Sequence, residues 1–159
     1  MTSGKTVSAR DSTGMPVPLE AAADALYRAA CEAARQHERV GRLSKAGAHH
    51  SEMQEAAELR DVTHRHLKER AALYEASAAG GRGDRDEAYW HAANALWHAA
   101  RDYGRRHAGY DAAAAKLGKH DTERLSALAL EYELEASALL AMRNAMATYK
   151  KLRPDVALS

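Results

Sequence analysis

The segment Glu87 to His107, EAYWHAANALWHAARDYGRRH, decides the fold. Tyr89, Ala92, Ala93, Leu96, Ala100, Tyr103 and His107 recur at spacings of three and four, the period of one apolar stripe along an α-helix. This helix has a counterpart earlier in the chain. At a constant offset of 70 residues, Ala22 to His37 (AADALYRAACEAARQH) matches Ala92 to His107 (AANALWHAARDYGRRH) at eight of sixteen positions. The same offset, ungapped, carries His50 onto His120 and Ser51 onto Asp121. The pattern is that of a duplicated helical hairpin. Leu26 with Leu96, Arg35 with Arg105, His37 with His107 and His50 with His120 carry it beyond what shared alanine supplies.

Extending the period outward predicts four helices, over about 18–43, 51–78, 85–117 and 121–152. Pro18 can open the first, since a proline in the first turn gives up no hydrogen bond. Its stripe is Leu19, Ala22, Ala23, Leu26, Ala30, Ala33, His37 and Val40, with Asp24, Arg28, Arg35 and Arg39 opposite, and it should fray between Gly41 and Gly47. Ser51 with Gln54 makes a capping box for the second helix, and Asp84 with Glu87 one for the third. Between them, GGRGDRD breaks the helix; its Arg82-Gly83-Asp84 is the tripeptide integrins recognise, taken here as a coincidence of composition. The fourth helix carries apolar residues on two sides, Leu125, Leu128, Tyr132, Leu139 and Met146 near one and Leu130, Leu134, Ala141 and Ala145 near the other. Short connections favour an all-α, antiparallel up-down four-helix bundle with a pseudo-twofold axis over 18–153. Residues 1–17, poor in large apolar groups, read as a disordered N-terminal tail, and 154–159 as a polar C-terminal tail.

Composition narrows the function classes. The 159-residue chain has 23 basic and 22 acidic residues, a formal charge of +1, so no global field draws in nucleic acid or a membrane surface. No apolar run approaches the roughly 20 residues of a membrane span. The first 17 residues lack a secretory signal's apolar centre, and the single Cys31 cannot form an internal disulfide; a cytoplasmic protein is expected. Cys31 beside Glu32 reads as an inert thiol. Tyr27, Trp90 and Trp97 flank the core stripes, and with the two-sided fourth helix they suggest a non-enzymatic interaction or self-association module. A homodimer, or a complex with another protein, is the expected assembly, with no cofactor required.

Nine histidines offer other chemistry. His37 and His107 occupy equivalent core positions, and His49, His50 and His120 fall in the loops at one end of the bundle. Convergence of His37, His50, His107 and His120 would suit a transition metal such as Zn, Ni or Cu, or haem iron. No HExxH, CxxC or paired Glu-x-x-His accompanies them. Glu131 and Glu135, one turn apart, are expected to be solvated or salt-bridged.

The stretch RDYGRRH places Arg101 five intervening residues before His107. It resembles the Arg, four-to-six residues, His motif of the HEPN family of helical ribonucleases. Tyr110, three beyond His107, is similar to the tyrosine of some HEPN toxins, where one residue usually separates the two. The resemblance implies that Arg101 would steady an RNA phosphate and His107 move a proton, commonly across a dimer. Arg60 to His66 fits the same loose pattern, and Cys31 replaces Arg101 in the first hairpin.

Overall fold

A computed structural model describes residues 17–81, 85–117 and 122–156. The elements are α1 (Leu19–Lys45), α2 (His50–Ala78), α3 (Glu87–Ala115) and α4 (Thr122–Leu152). Among the described residues there is no strand, and no helix is long and apolar enough to cross a membrane. The strongest packing is within two hairpins, α1 against α2 and α3 against α4, while α2 meets α3 and α1 meets α4 over smaller areas. The result is a four-helix bundle. Helix α1 also touches α3 across the diagonal. Ala22, Ala23, Ala30 and Ala33 on α1 and Ala92, Ala93 and Ala100 on α3 permit that approach, because a methyl group keeps the axes close.

The predicted stripe of α3 is buried from Tyr89 through His107. Helix α1 ends within the expected range, while the caps of α2 and α3 differ from expectation. Helix α1 continues through Gly41 and stops at Gly47, whose positive φ of 66° lets Ala48 N–H donate to Leu43 O at 3.0 Å and Gly47 N–H to Ser44 O at 3.2 Å. The cap of α2 is His49 rather than Ser51: its Nδ1 accepts from the Ser51 backbone N–H at 3.3 Å, while Gln54 bonds forward to Glu58. Asp86 caps α3, its Oδ1 accepting from Tyr89 N–H at 2.8 Å. Arg82 to Asp84, Gly118 to Asp121 and residues 1–16 lie outside the described residues, and with them the expected box at Asp84, the RGD tripeptide and His120.

One charged group expected on the solvent side is instead inside. Asp24, placed opposite the core by the period, is 7% exposed because Tyr149 of α4 and Arg153 reach it. The chain beyond α4 is not a tail at this point: Val156 is 1% exposed within the core, and Val17 packs against the same core at the other end of the chain. Helix α4 does not divide along its two expected sides, since Leu125 and Tyr132 do not follow Leu139 into the core. Leu139, Met142 and Tyr149 are buried, and Leu125, Leu130, Tyr132 and Leu140 are exposed.

A candidate metal centre between the hairpins

Each helix sends polar side chains to one level of the bundle: His37 from α1, Asp61 and His64 from α2, Tyr103, His107 and Asp111 from α3, Glu135 from α4. Helical spacing does the local work. Asp61 and His64 are three residues apart, and Tyr103, His107 and Asp111 are four apart, so each set shares a face.

His107 is the hub, its side chain 6% exposed. Nδ1 is 3.4 Å from Glu135 Oε1, within hydrogen-bonding reach. On the other side of the ring, Nε2 lies 3.2 Å from Asp111 Oδ2 and 3.6 Å from Asp61 Oδ1. Neither of these contacts has hydrogen-bond geometry, and Nε2 is a buried nitrogen without a partner. Ligand atoms held at about 2.1 Å from one ion in tetrahedral directions stand roughly 3.4 Å apart. The two distances from Nε2 are close to that spacing, and the three ligand atoms all lie within 4.8 Å of one another. Asp61 and Asp111, about half exposed, form the outer rim.

The supporting groups are arranged around Glu135, whose side chain is 3% exposed. Its Oε1 is also 3.1 Å from His37 Nδ1, which is hydrogen bonded to the Tyr103 hydroxyl at 3.0 Å. Burial pushes the Glu135 carboxyl up, but hydrogen bonds from His107 and His37 outweigh it and hold it at about 2. Glu135 is therefore a carboxylate. His64 stacks on His107 with ring centroids 3.7 Å apart and planes 7° from parallel. Burial first, and then the neighbouring His107, drives its imidazole down to about 3, so it is neutral at ordinary pH. The Tyr103 phenol is raised by burial and by Glu135, and stays protonated. Arg60 Nη2 is 3.8 Å from Asp111 Oδ1. Three carboxylates, Asp61, Asp111 and Glu135, thus face one ion-paired guanidinium, that of Arg60.

Of the residues singled out from the sequence, His37 and His107 do meet, through Glu135 rather than directly. His50 is exposed at the start of α2, eleven residues before Asp61 and so roughly 16 Å away along the helix. Arg101 does not approach His107. Six residues on a helix set the two about 120° apart, and the exposed Arg101 guanidinium lies over the Trp97 ring at 4.8 Å. A phosphate at His107 would face Asp61, Asp111 and Glu135, which repel it. Tyr27 is 5% exposed and stacked on Tyr149; Trp97 donates its indole N–H to Ala71 O at 3.1 Å; Trp90 is half-buried on the outer flank of α3. The Cys31 thiol is pushed up by burial, in keeping with an unreactive side chain.

Asp61, His64 and Asp111 escaped the sequence reading. The pairs Asp61-x-x-His64 and His107-x-x-x-Asp111, ligand types at same-face spacing, were the available signal. Glu135, expected to be solvated or salt-bridged, is buried and paired with His37 and His107, while its neighbour Glu131 lies half-exposed beside Gly109. No protein-family model, curated protein or solved structure matches the chain.

Proposed function

We propose that this protein is a metal-binding four-helix bundle that takes a divalent first-row transition ion between α2 and α3, with Asp61, His107 Nε2 and Asp111 as ligands. The observation that carries the reading is the buried Nε2, set between two carboxylate oxygens at ligand-to-ligand distances but without hydrogen-bond geometry to either. Glu135 supports it. A carboxylate that accepts from Nδ1–H fixes the tautomer whose lone pair is on Nε2, the usual support of a metal-bound histidine. In equilibrium dialysis with Zn2+, the wild-type chain should retain one ion of high affinity. Asp111→Asn and His107→Gln should each lose it, and His50→Gln should keep it. Uptake unchanged by His107→Gln, or no uptake by the wild type, overturns the assignment.

Self-association is a second reading with its own support, the apolar side chains that α4 leaves in solvent. Leu125, Leu130, Tyr132 and Leu140 are 49 to 60% exposed, on the helix whose sequence is apolar on both sides. The surface differs from the one expected at Tyr27 and Trp97, whose rings are engaged inside the chain. Light scattering over a dilution series should give a dimer mass for the wild type that falls to a monomer in Leu130→Glu/Leu140→Glu. A wild-type monomer at every concentration rejects it.

A further inference from the structure

We infer that His64 is the fourth ligand of this ion, closing a four-coordinate site of two imidazoles and two carboxylates that selects Zn2+ over Mg2+ or Mn2+. The inference rests on the metal-binding reading above and adds a residue and a metal class to it.

Both ring nitrogens of His64 are buried and have no hydrogen-bond partner. A buried imidazole with neither nitrogen satisfied gives up its hydration without compensation, a cost on the order of 1–3 kcal/mol for each polar group in proteins. Native interiors rarely leave such a group without a role. Its position supplies one. His64 stands one helical turn after Asp61, on the same face, and its ring lies parallel to that of His107 at 3.7 Å. An ion in the plane of His107, about 2.0–2.1 Å beyond Nε2, is then close to the edge of the stacked ring. To ligate, the His64 side chain must rotate out of the stack so that one of its unpartnered nitrogens turns toward the ion.

The remaining surroundings favour a closed site over an open catalytic one. Three protein ligands with a free position mark catalytic zinc, and four mark structural or storage sites. Catalysis also requires room for a substrate. A surface groove of about 690 Å³ runs along α3 and α4 past His91, His98 and Ala145, and one of about 340 Å³ lies between α1 and α2 beside Arg28 and Arg70. Neither is lined by Asp61, His107 or Asp111. Two carboxylates neutralise the dication, and two imidazoles complete a set soft enough to disfavour Mg2+ and Mn2+, which prefer six oxygen-rich positions.

Cobalt(II) tests this with a readout that coordination number controls. Loaded with Co2+, the wild-type protein should show the intense visible absorption of a tetrahedral centre. His64→Gln should show the several-fold weaker absorption of a five- or six-coordinate ion, and should bind Zn2+ at least roughly 10- to 100-fold more weakly, the loss that even outer partners of a metal site produce. His64→Cys guards against a folding defect: it should restore tight binding and add a thiolate-to-cobalt charge-transfer band absent from the wild type. A wild type that takes up Co2+ with weak, six-coordinate absorption overturns the role of His64 and leaves the three-ligand site standing, as does a tetrahedral spectrum retained in His64→Gln. No Co2+ or Zn2+ uptake by the wild type overturns both.

Discussion

Zinc at about 100 times its dissociation constant should raise the melting temperature of the wild-type chain by roughly 5–10 °C at neutral pH. An ion bound only by the folded state adds about 2.7 kcal/mol at that concentration, and each kcal/mol moves the midpoint of a domain of this size by about 2–4 °C. The gain is large because of where the ion sits. Asp61 belongs to the first hairpin and His107 and Asp111 to the second, so the ion crosslinks α2 to α3, a less extensive contact than the packing within either hairpin. It also relieves the repulsion between two carboxylates held beside one another on the rim. Asp111→Asn should remove most of the gain while changing the metal-free midpoint little, since Asp111 is half exposed and its pair with Arg60 is long. Because ligands must be deprotonated, the gain should shrink as the pH is lowered. A melting temperature that zinc leaves unmoved at pH 7.5, or an Asp111→Asn variant that gains as much as the wild type, rejects the crosslink.

The fold was legible for a physical reason that the site illustrates by contrast. The stripe of α3 alternates small and large apolar groups at the helical period, and burial follows period almost without exception from Tyr89 to His107. Period assigns faces by polarity, however, and so it sends every carboxylate to solvent. Asp24 and Glu135 break that rule, each because partners from another helix replace the water it loses: Tyr149 and Arg153 for the first, His107 and His37 for the second. Those partners are 28 to 129 residues away in the chain, beyond any local pattern. One residue of the aromatic flank is drawn inside in the same way. Tyr27 lies beside the α1 stripe, yet the ring of Tyr149 stacks against it and brings it into the core. His64 is a different case, legible in principle, since Asp61-x-x-His64 pairs two ligand types on one face; the signal is weak until His107 is found opposite.

The other large effect is expected at the far end of the bundle, where Asp24→Ala should destabilise the protein by about 3 kcal/mol, near the low end of the roughly 3–5 kcal/mol seen when one partner of a buried ion pair is removed. Asp24 Oδ1 accepts from the Tyr149 hydroxyl at 2.5 Å and from Arg153 Nε at 3.3 Å, and Oδ2 accepts from Arg153 Nη2 at 2.7 Å. Burial, and then the hydrogen bond to Asp24, raises the Tyr149 phenol, so that it remains a donor over the whole ordinary pH range. The network ties α1 to the end of α4 and to the following turn, in which Val156 is buried. Truncation leaves the Tyr149 hydroxyl with only the 3.3 Å contact to Tyr89, and loosens the turn that seats Val156. The loss stays at the low end because Arg153 is one-third exposed and keeps Glu20, 2.7 Å from its Nη1. Tyr149→Phe, which spares the guanidinium pair, should cost less, about 1.5–3 kcal/mol for a hydrogen bond to a charged group. The two changes should not add, since they remove the same bond, and a double-mutant cycle in urea should return a coupling above about 0.5 kcal/mol. Strictly additive losses, or an Asp24→Ala variant within about 0.5 kcal/mol of the wild type, would show that Asp24 is held there by packing alone.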